Sequence, residues 1–360
     1  MKKSMKSCVV LLMVLVMGLT LIGCSKSKSE ETKTSKTEST KKTETTEKEE
    51  TSTAGDEKQT ESQTTDSKGE ISIEEIKDVK SDEQRDITLI VKNLTNPMWI
   101  AVKEGAEEAA SDAGVNLTVL APSVADNNEE QISLIEQSIA KGEDALIIIP
   151  ADSTGIVPGI EAANKAGIPV INVNTKIDTS SGCSYNTFIA VENYSAAVSV
   201  AEALVVMMEE KGDVIILEGK AGAQSSVDIV AGANDTFAKY DGINVVASQT
   251  ASWSRSEAYT VTLNLLEANP DVKAIFAAND EMAMGALEAV AQAGKEGQIL
   301  ITGLDANPDA KEAVDAGTLA ITCDKNGHGQ GYYGVKAAIA ALNGEKLLDN
   351  YIVETFLYTK

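Results

Sequence analysis

Short, continuously apolar runs alternate with helical patterns along most of the chain: Ile87 to Val91, Val115 to Leu120, Ala145 to Ile149, Ile168 to Val173, Val214 to Leu217, Ile243 to Ala247, Ala274 to Phe276 and Ile299 to Thr302. Apolar runs without alternation indicate parallel strands covered on both faces. Between them Ile132, Ile135 and Ile139 recur at helical spacing, as do Leu263, Leu266 and the alanine-rich stretch from Met282 to Ala293. Gly114, Gly142, Gly167, Gly294 and Gly317 stand where such helices close, since a C-cap asks for the left-handed conformation that glycine adopts most easily. The βαβα order predicts an α/β architecture with parallel sheets. The strands are too many for one sheet, and the pattern restarts: a helical stretch opens at Glu192-Asn193, runs to Lys211 and hands over to a fresh strand at Val214. Two Rossmann-like lobes with a cleft between them are therefore expected.

One stretch organises the first lobe. Asn93-Leu94-Thr95-Asn96-Pro97-Met98-Trp99 joins the first strand to a helical pattern ending at Gly114. Asn96 suits the N-cap and Pro97 the first helical position, so strand passes directly to helix. In doubly wound sheets the crevice beyond the carboxyl ends of the strands is where ligands bind, which points Asn96 and Trp99 at a cleft.

The start of the chain follows other rules. Lys2, Lys3 and Lys6 precede an apolar run from Val9 to Ile22 that ends in Leu21-Ile22-Gly23-Cys24. This is the layout of a secretory signal peptide; its apolar core of about 14 residues is short of the roughly 20 a spanning helix needs. Leu21-Ile22-Gly23-Cys24 resembles the lipobox of bacterial lipoproteins, which implies a leader over 1–23, a lipid-modified Cys24 and attachment to the outer face of the cell membrane. From Ser25 to about Arg85 Ser, Thr, Lys, Glu and Gln dominate, too polar to offset the entropy of ordering, so 24–85 reads as a lipidated cysteine and a disordered tether spanning about 45 Å. Ile71-Ser72-Ile73-Glu74-Glu75-Ile76 is included in that linker.

Composition then narrows the function. The formal net charge of −24 argues against a nucleic-acid partner, because phosphate binding relies on Lys and Arg. His328 is the only histidine, which leaves Ser-His-Asp and Cys-His catalysis one residue to draw on, and its place at the start of a helical pattern suits a capping or surface role. Zinc and iron sites lack ligands, and no cofactor motif stands out. Gly219-Lys220-Ala221-Gly222 lacks the order of a phosphate loop. Asp305 and Asp309 read as solvated or capping carboxylates. The chain is thus read as a non-enzyme. Cys183 and Cys323 lie far apart without metal-type spacing, and the sequence leaves open whether they pair.

From Asp86 onward the chain resembles the type I periplasmic binding proteins for monosaccharides, in particular the ribose- and allose-binding branch. The matching segments are Leu94 to Trp99, Ile168-Pro169-Val170-Ile171-Asn172, Glu218 to Gly222, Ala247-Ser248-Gln249, Ala278-Asn279-Asp280-Glu281-Met282-Ala283-Met284-Gly285 and Thr302-Gly303-Leu304-Asp305. The resemblance implies two lobes joined by three crossing strands, with lobe one over 86–190 plus 326–354 and lobe two over 191–325 plus 355–360. It implies a monomeric solute receptor that hands a monosaccharide or polyol to an ABC transporter permease; a sensory receptor docking on a membrane signalling protein is the alternative.

Carried over position by position, the resemblance puts Lys92, Asn96, Met98, Trp99, Asn174, Thr175, Ile229, Trp253, Asn279, Asp305 and Lys325 in the ligand pocket. The chemistry agrees for the tryptophans, since a sugar offers apolar C–H faces to aromatic rings and hydroxyls to amide, carboxylate and ammonium groups. Asn279 and Asp305 also suit helix capping before Glu281 and Pro308. Three positions depart from the family: Asn174-Thr175 replaces an acidic residue and a second charged one, Ile229 an arginine, and Lys325 a glutamine. Ribose is therefore not the expected ligand, and Lys92 with Lys325 keeps an anionic sugar acid as the alternative to a neutral one.

Overall fold

The computed structural model describes residues 73–360, so the expected leader and Cys24 lie outside the described residues. The chain begins one sheet with β1 (Asp86–Ile90), α1 (Pro97–Ala113), β2 (Asn116–Leu120), α2 (Asn128–Lys141), β3 (Ala145–Ile148), α3 (Val157–Ala166), β4 (Val170–Val173) and β5 (Thr187–Ala190). It crosses to a second sheet through α4 (Asn193–Met207), β6 (Gly212–Glu218), α5 (Gln224–Phe237), β7 (Ile243–Thr250), α6 (Arg255–Ala268), β8 (Ala274–Ala277), α7 (Asp280–Gln292), β9 (Leu300–Thr302), α8 (Pro308–Ala316) and β10 (Ile321–Asp324). It returns with α9 (Gly327–Leu342) and β11 (Asn350–Ile352) and ends back in the second sheet with β12 (Phe356–Thr359). The sheet orders are β11-β5-β4-β3-β1-β2 and β12-β10-β9-β8-β6-β7. Every pairing is parallel except β10 with β12. The chain therefore passes between sheets at 190–193, 324–327 and 352–356.

Burial explains the strand pattern. Ile87 and Leu89 face the cluster built from α1 and α9, whereas Ile90, Leu146 and Ile148 face α2 and α3, so alternate positions of one strand enter two different apolar layers. Burial of each such side chain contributes about 2 kcal/mol, which is why both faces stay apolar. Two glycines let α1 and α9 approach closely: a Cβ at Gly105 would stand 1.9 Å from the His328 carbonyl, and one at Gly331 1.8 Å from that of Val102. His328 itself is exposed and meets Glu108 at 3.0 Å on this helix pair. Cys183 and Cys323 are buried and unpaired with each other.

Two sequence readings need correction. Ile243 to Ala247 is not a covered strand; β7 is an edge, with Val245 and Val246 each 37 % exposed. The end of the expected tether is docked instead of free. Ile73–Ile76 forms a 3-10 turn, Ile76 is 3 % exposed, and Ile73 and Val79 pack against the same cluster as α9. Lys336 Nζ donates to the Val79 carbonyl at 3.0 Å and Asn343 Nδ2 to that of Lys80 at 3.0 Å. Three apolar residues spaced by three are enough to dock a turn, though too few to stand out in a polar stretch. Ile76→Ala should accordingly lower the stability of the folded protein by about 2 kcal/mol in urea titration; a change below about 0.5 kcal/mol, the size expected of a surface substitution, would contradict the docking.

Candidate functional site

The carboxyl ends of both sheets open onto one cavity of about 720 Å³. In the first sheet the loop after β1 is locked by its own side chains: Asn93 Oδ1 accepts from the Asn96 N–H at 2.9 Å, and Asn96 Oδ1 from that of Met98 at 2.9 Å. With Pro97 opening α1, this cap sets Trp99 in the first turn and against the cavity. Met98, its neighbour, points elsewhere. It is buried in the core, its sulfur 2.9 Å from where a Cβ on Gly327 would stand, and it does not line the cavity. Successive residues of a helix lie about 100° apart, and the rotation that sets Trp99 against the cavity leaves Met98 beside Gly327.

Lys92, Asn96, Trp99, Asn174, Trp253, Asn279, Asp305 and Lys325 all line the cavity. Asn279 does so while capping α7, accepting from the Met282 N–H at 2.9 Å. Asp305 caps nothing; it faces Lys325 Nζ at 3.6 Å. Thr175 stands just behind the wall, accepting from Lys92 Nζ at 2.8 Å. Ile229 is a correction: it is fully buried in the core of the second sheet. Ser225, one turn earlier on the same face of α5, is the residue that reaches the cavity.

The lining also contains residues that sequence reasoning passed over, among them Asn93, Asp126, Lys220, Ser225 and Arg255. Asp126 and Lys220 follow β2 and β6, and the same strand-end rule that singled out Asn96 would have found them. Arg255 is held by Glu281 at 2.9 Å and by Asp309 at 2.5 Å.

Strain concentrates here. Among the described residues nine non-glycine positions have positive φ, and five of them, Asp126, Asn174, Ser252, Trp253 and Asp305, line the cavity. Each costs on the order of 1 kcal/mol and persists only where surrounding contacts impose it. Trp253, a bulky residue at φ 64°, rests on Gly219, where a Cβ would come within 2.1 Å of the indole. That glycine is what leaves room for the ring.

The electrostatics are those of charges kept from water. Lys92 is 2 % exposed, with Nζ 5.1 Å from the centre of the Trp99 ring and 5.8 Å from that of Trp253. Burial lowers its pKa to about 8, with Asp126 acting in the opposite direction. Burial raises Asp305 to about 6 against the pull of Lys325. Behind it, burial and then the charge of Asp305 raise Asp280 to about 8, although Asp280 accepts from the Asn307 N–H at 2.7 Å and Thr322 Oγ1 at 2.6 Å.

Residues of the two sheets also touch directly across the cleft. The Ser153 N–H donates to the Gly222 carbonyl at 2.9 Å, Ser153 Oγ accepts from the Gln224 N–H at 3.0 Å, and the hydroxyls of Thr175 and Ser225 meet at 3.0 Å. Lys220 Nζ donates to the Asp126 carbonyl. The cleft is closed around its polar lining.

The Lys92 shift has a testable sign. Its pKa falls from 10.5 to about 8 on folding, so between those values the unfolded chain holds more protons and stability rises with pH; below about 8 the full penalty applies. Asp126, Asp305, Lys325 and Lys220 are the charges that act on it. Lys92→Met should be more stable than the parent at pH 7 by about 2 kcal/mol, an advantage that shrinks as pH rises through 8 to 10. Urea titrations at pH 7 and 9.5 check this, and a variant less stable at both pH values would contradict it.

Comparison with known proteins places this geometry. The chain is 34 % identical over 265 residues to a D-allose-binding periplasmic protein of Escherichia coli, covering 72 % of this chain and 85 % of that protein. It is 34 % identical over 274 residues to the ribose import binding protein of the same organism, covering 76 % and 90 %. A periplasmic solute-binding protein of an ABC transporter from Actinobacillus succinogenes, solved with bound D-allose, superposes with a TM-score of 0.73 at 35 % identity, over 77 % of this chain and 98 % of that one. These relatives are transporter binding proteins and not enzymes. The family model of the periplasmic binding protein domain matches residues 87–346, and with these relatives it establishes that the chain belongs to that family.

Proposed function

We propose that the protein captures a neutral monosaccharide or polyol between its two lobes and presents it to the permease of an ABC importer. The observation that carries this reading is the composition of the cavity: Trp99 from one lobe and Trp253 from the other, with Lys92, Asn96, Asn174, Asn279 and Asp305 as hydrogen-bonding groups between them. Aromatic faces suit sugar C–H groups, and the amides, ammonium and carboxylate suit hydroxyls. The sugars named for the relatives point the same way.

A neutral ligand is favoured over a sugar acid because Lys325 and Lys92, the cations that would favour an acid, already meet carboxylate charge. Lys325 is paired with Asp305, and Lys92 feels the charges of Asp126 and Asp305. A ligand held by both lobes at once stabilises only the closed arrangement, so binding shifts an open–closed equilibrium and no bond is made or broken. Several satisfied hydrogen bonds and two ring contacts are consistent with micromolar affinity, about −8 kcal/mol.

Presentation from a membrane surface rests on Leu21-Ile22-Gly23-Cys24, with two acyl chains on Cys24 giving stable anchoring and a single folded unit as the working form. Among the described residues no helix is long and apolar enough to cross a membrane. Cys24→Ala should move the protein from the membrane fraction to the soluble fraction of expressing cells; unchanged fractionation would contradict the anchor.

The ligand reading is tested by a thermal-shift screen against pentoses, hexoses, polyols and sugar acids. A neutral sugar or polyol at 100 times its Kd should add about 2.7 kcal/mol to stability. Trp253→Ala should weaken its binding about 10- to 100-fold in calorimetry. Stabilisation by sugar acids alone, or an unchanged affinity in Trp253→Ala, would count against the assignment.

A further inference from the structure

The cavity holds two buried polar atoms without a hydrogen-bond partner, one from each lobe: Oδ1 of Asp126 and the indole Nε1 of Trp253. Buried polar atoms are normally satisfied, and leaving one unpaired costs about 1 to 3 kcal/mol; these two are set apart by belonging to residues that line the cavity.

Asp126 is fixed more firmly than a surface loop residue would be. It adopts φ 58°, its N–H donates to the Lys92 carbonyl at 3.0 Å, and its own carbonyl accepts from Lys220 Nζ reaching over from the opposite lobe. The backbone is thus pinned from both sides, and Oδ1 is left without a partner at the cavity wall. Lys220 Nζ carries three protons, of which the Asp126 carbonyl takes one. Lys92 and Lys220 both act on the carboxylate electrostatically, and burial acts against its charge. Asp126 therefore offers an acceptor within the electrostatic reach of two ammonium groups, and the indole N–H on the far lobe supplies the unused donor.

We propose that Asp126 and Lys220 form a polar subsite at the closing edge of the cleft that takes a hydroxyl group of the ligand and demands a hydrogen-bond donor against Asp126. The inference rests on the sugar-binding reading and makes it narrower. A hydroxyl donates to the carboxylate and accepts from the ammonium at once, which neither a methylene nor a carboxylate can do. The subsite exists only when the lobes meet, since its two members come from opposite sides. It therefore ties recognition of that hydroxyl to closure, and a sugar lacking it leaves Oδ1 unpaired in the closed form.

The test is isothermal titration of the purified protein with D-allose, D-ribose and myo-inositol and with the monodeoxy derivatives of whichever binds. Asp126→Ala should weaken that sugar about 10- to 100-fold, and one monodeoxy derivative should lose as much against the parent yet nothing further against Asp126→Ala. Lys220→Met should weaken the same sugar without altering which derivative is sensitive. Unliganded Asp126→Ala should still unfold in a single cooperative thermal transition and keep the parent's circular dichroism spectrum, which separates lost recognition from misfolding. If the sugars bind and Asp126→Ala stays within twofold of the parent, or every derivative loses equally in both proteins, the subsite is wrong and the function stands. If none of the three binds the parent, the sugar-binding reading itself falls, and the subsite with it.

Discussion

The structure depends on holding charge away from water. Lys92 sits 2 % exposed between two indole rings, Asp305 and Asp280 are buried carboxylates, and burial pushes each of the three toward its neutral form. Groups like these destabilise a fold unless hydrogen bonds and counter-charges surround them. Here Thr175 receives Lys92, Lys325 faces Asp305, and Asn307 and Thr322 hold Asp280. The backbone bends to the same end, with five non-glycine residues in left-handed or otherwise positive-φ conformations around one cavity. What offsets the cost is the remainder of the molecule, where strands such as β3, β4 and β8 are buried along their whole length. Stability comes from the sheets, and the cleft spends part of it on recognition.

Much of this was legible in the residues because it follows from local rules. The alternation of apolar runs and helical patterns gave the α/β architecture, and Asn96-Pro97 located the start of α1 through cap chemistry alone. The cavity lining includes eight of the residues that the sequence singled out. What local rules could not supply was direction. Met98 and Trp99 are adjacent on one helix, and only Trp99 lines the cavity; Ser225 and Ile229 share a face of α5, and only the earlier one reaches the ligand side. Neither distinction exists until the helix has been docked.

Other features escaped for reasons of context. β5, β10, β11 and β12 are strands of three or four residues whose place is set by their neighbours in the sheet. Ile73, Ile76 and Val79 looked like incidental apolar residues in a polar stretch because their partners on α9 lie far along the chain. Asp126 and Lys220 lie at strand ends far apart in sequence; their contact arises only because loops from two lobes meet.

The central claim is that a small polyhydroxylated ligand is held between the lobes, against both indoles. Trp99 and Trp253 are the only tryptophans in the chain, so intrinsic tryptophan emission reports on the cleft and on nothing else. The most direct measurement is a titration of that emission with a sugar whose binding is established by calorimetry. The account requires a saturable change in intensity or wavelength with the same midpoint as the heat. A sugar that binds by calorimetry while leaving the emission of both tryptophans unchanged would place the ligand elsewhere on the molecule and contradict the account.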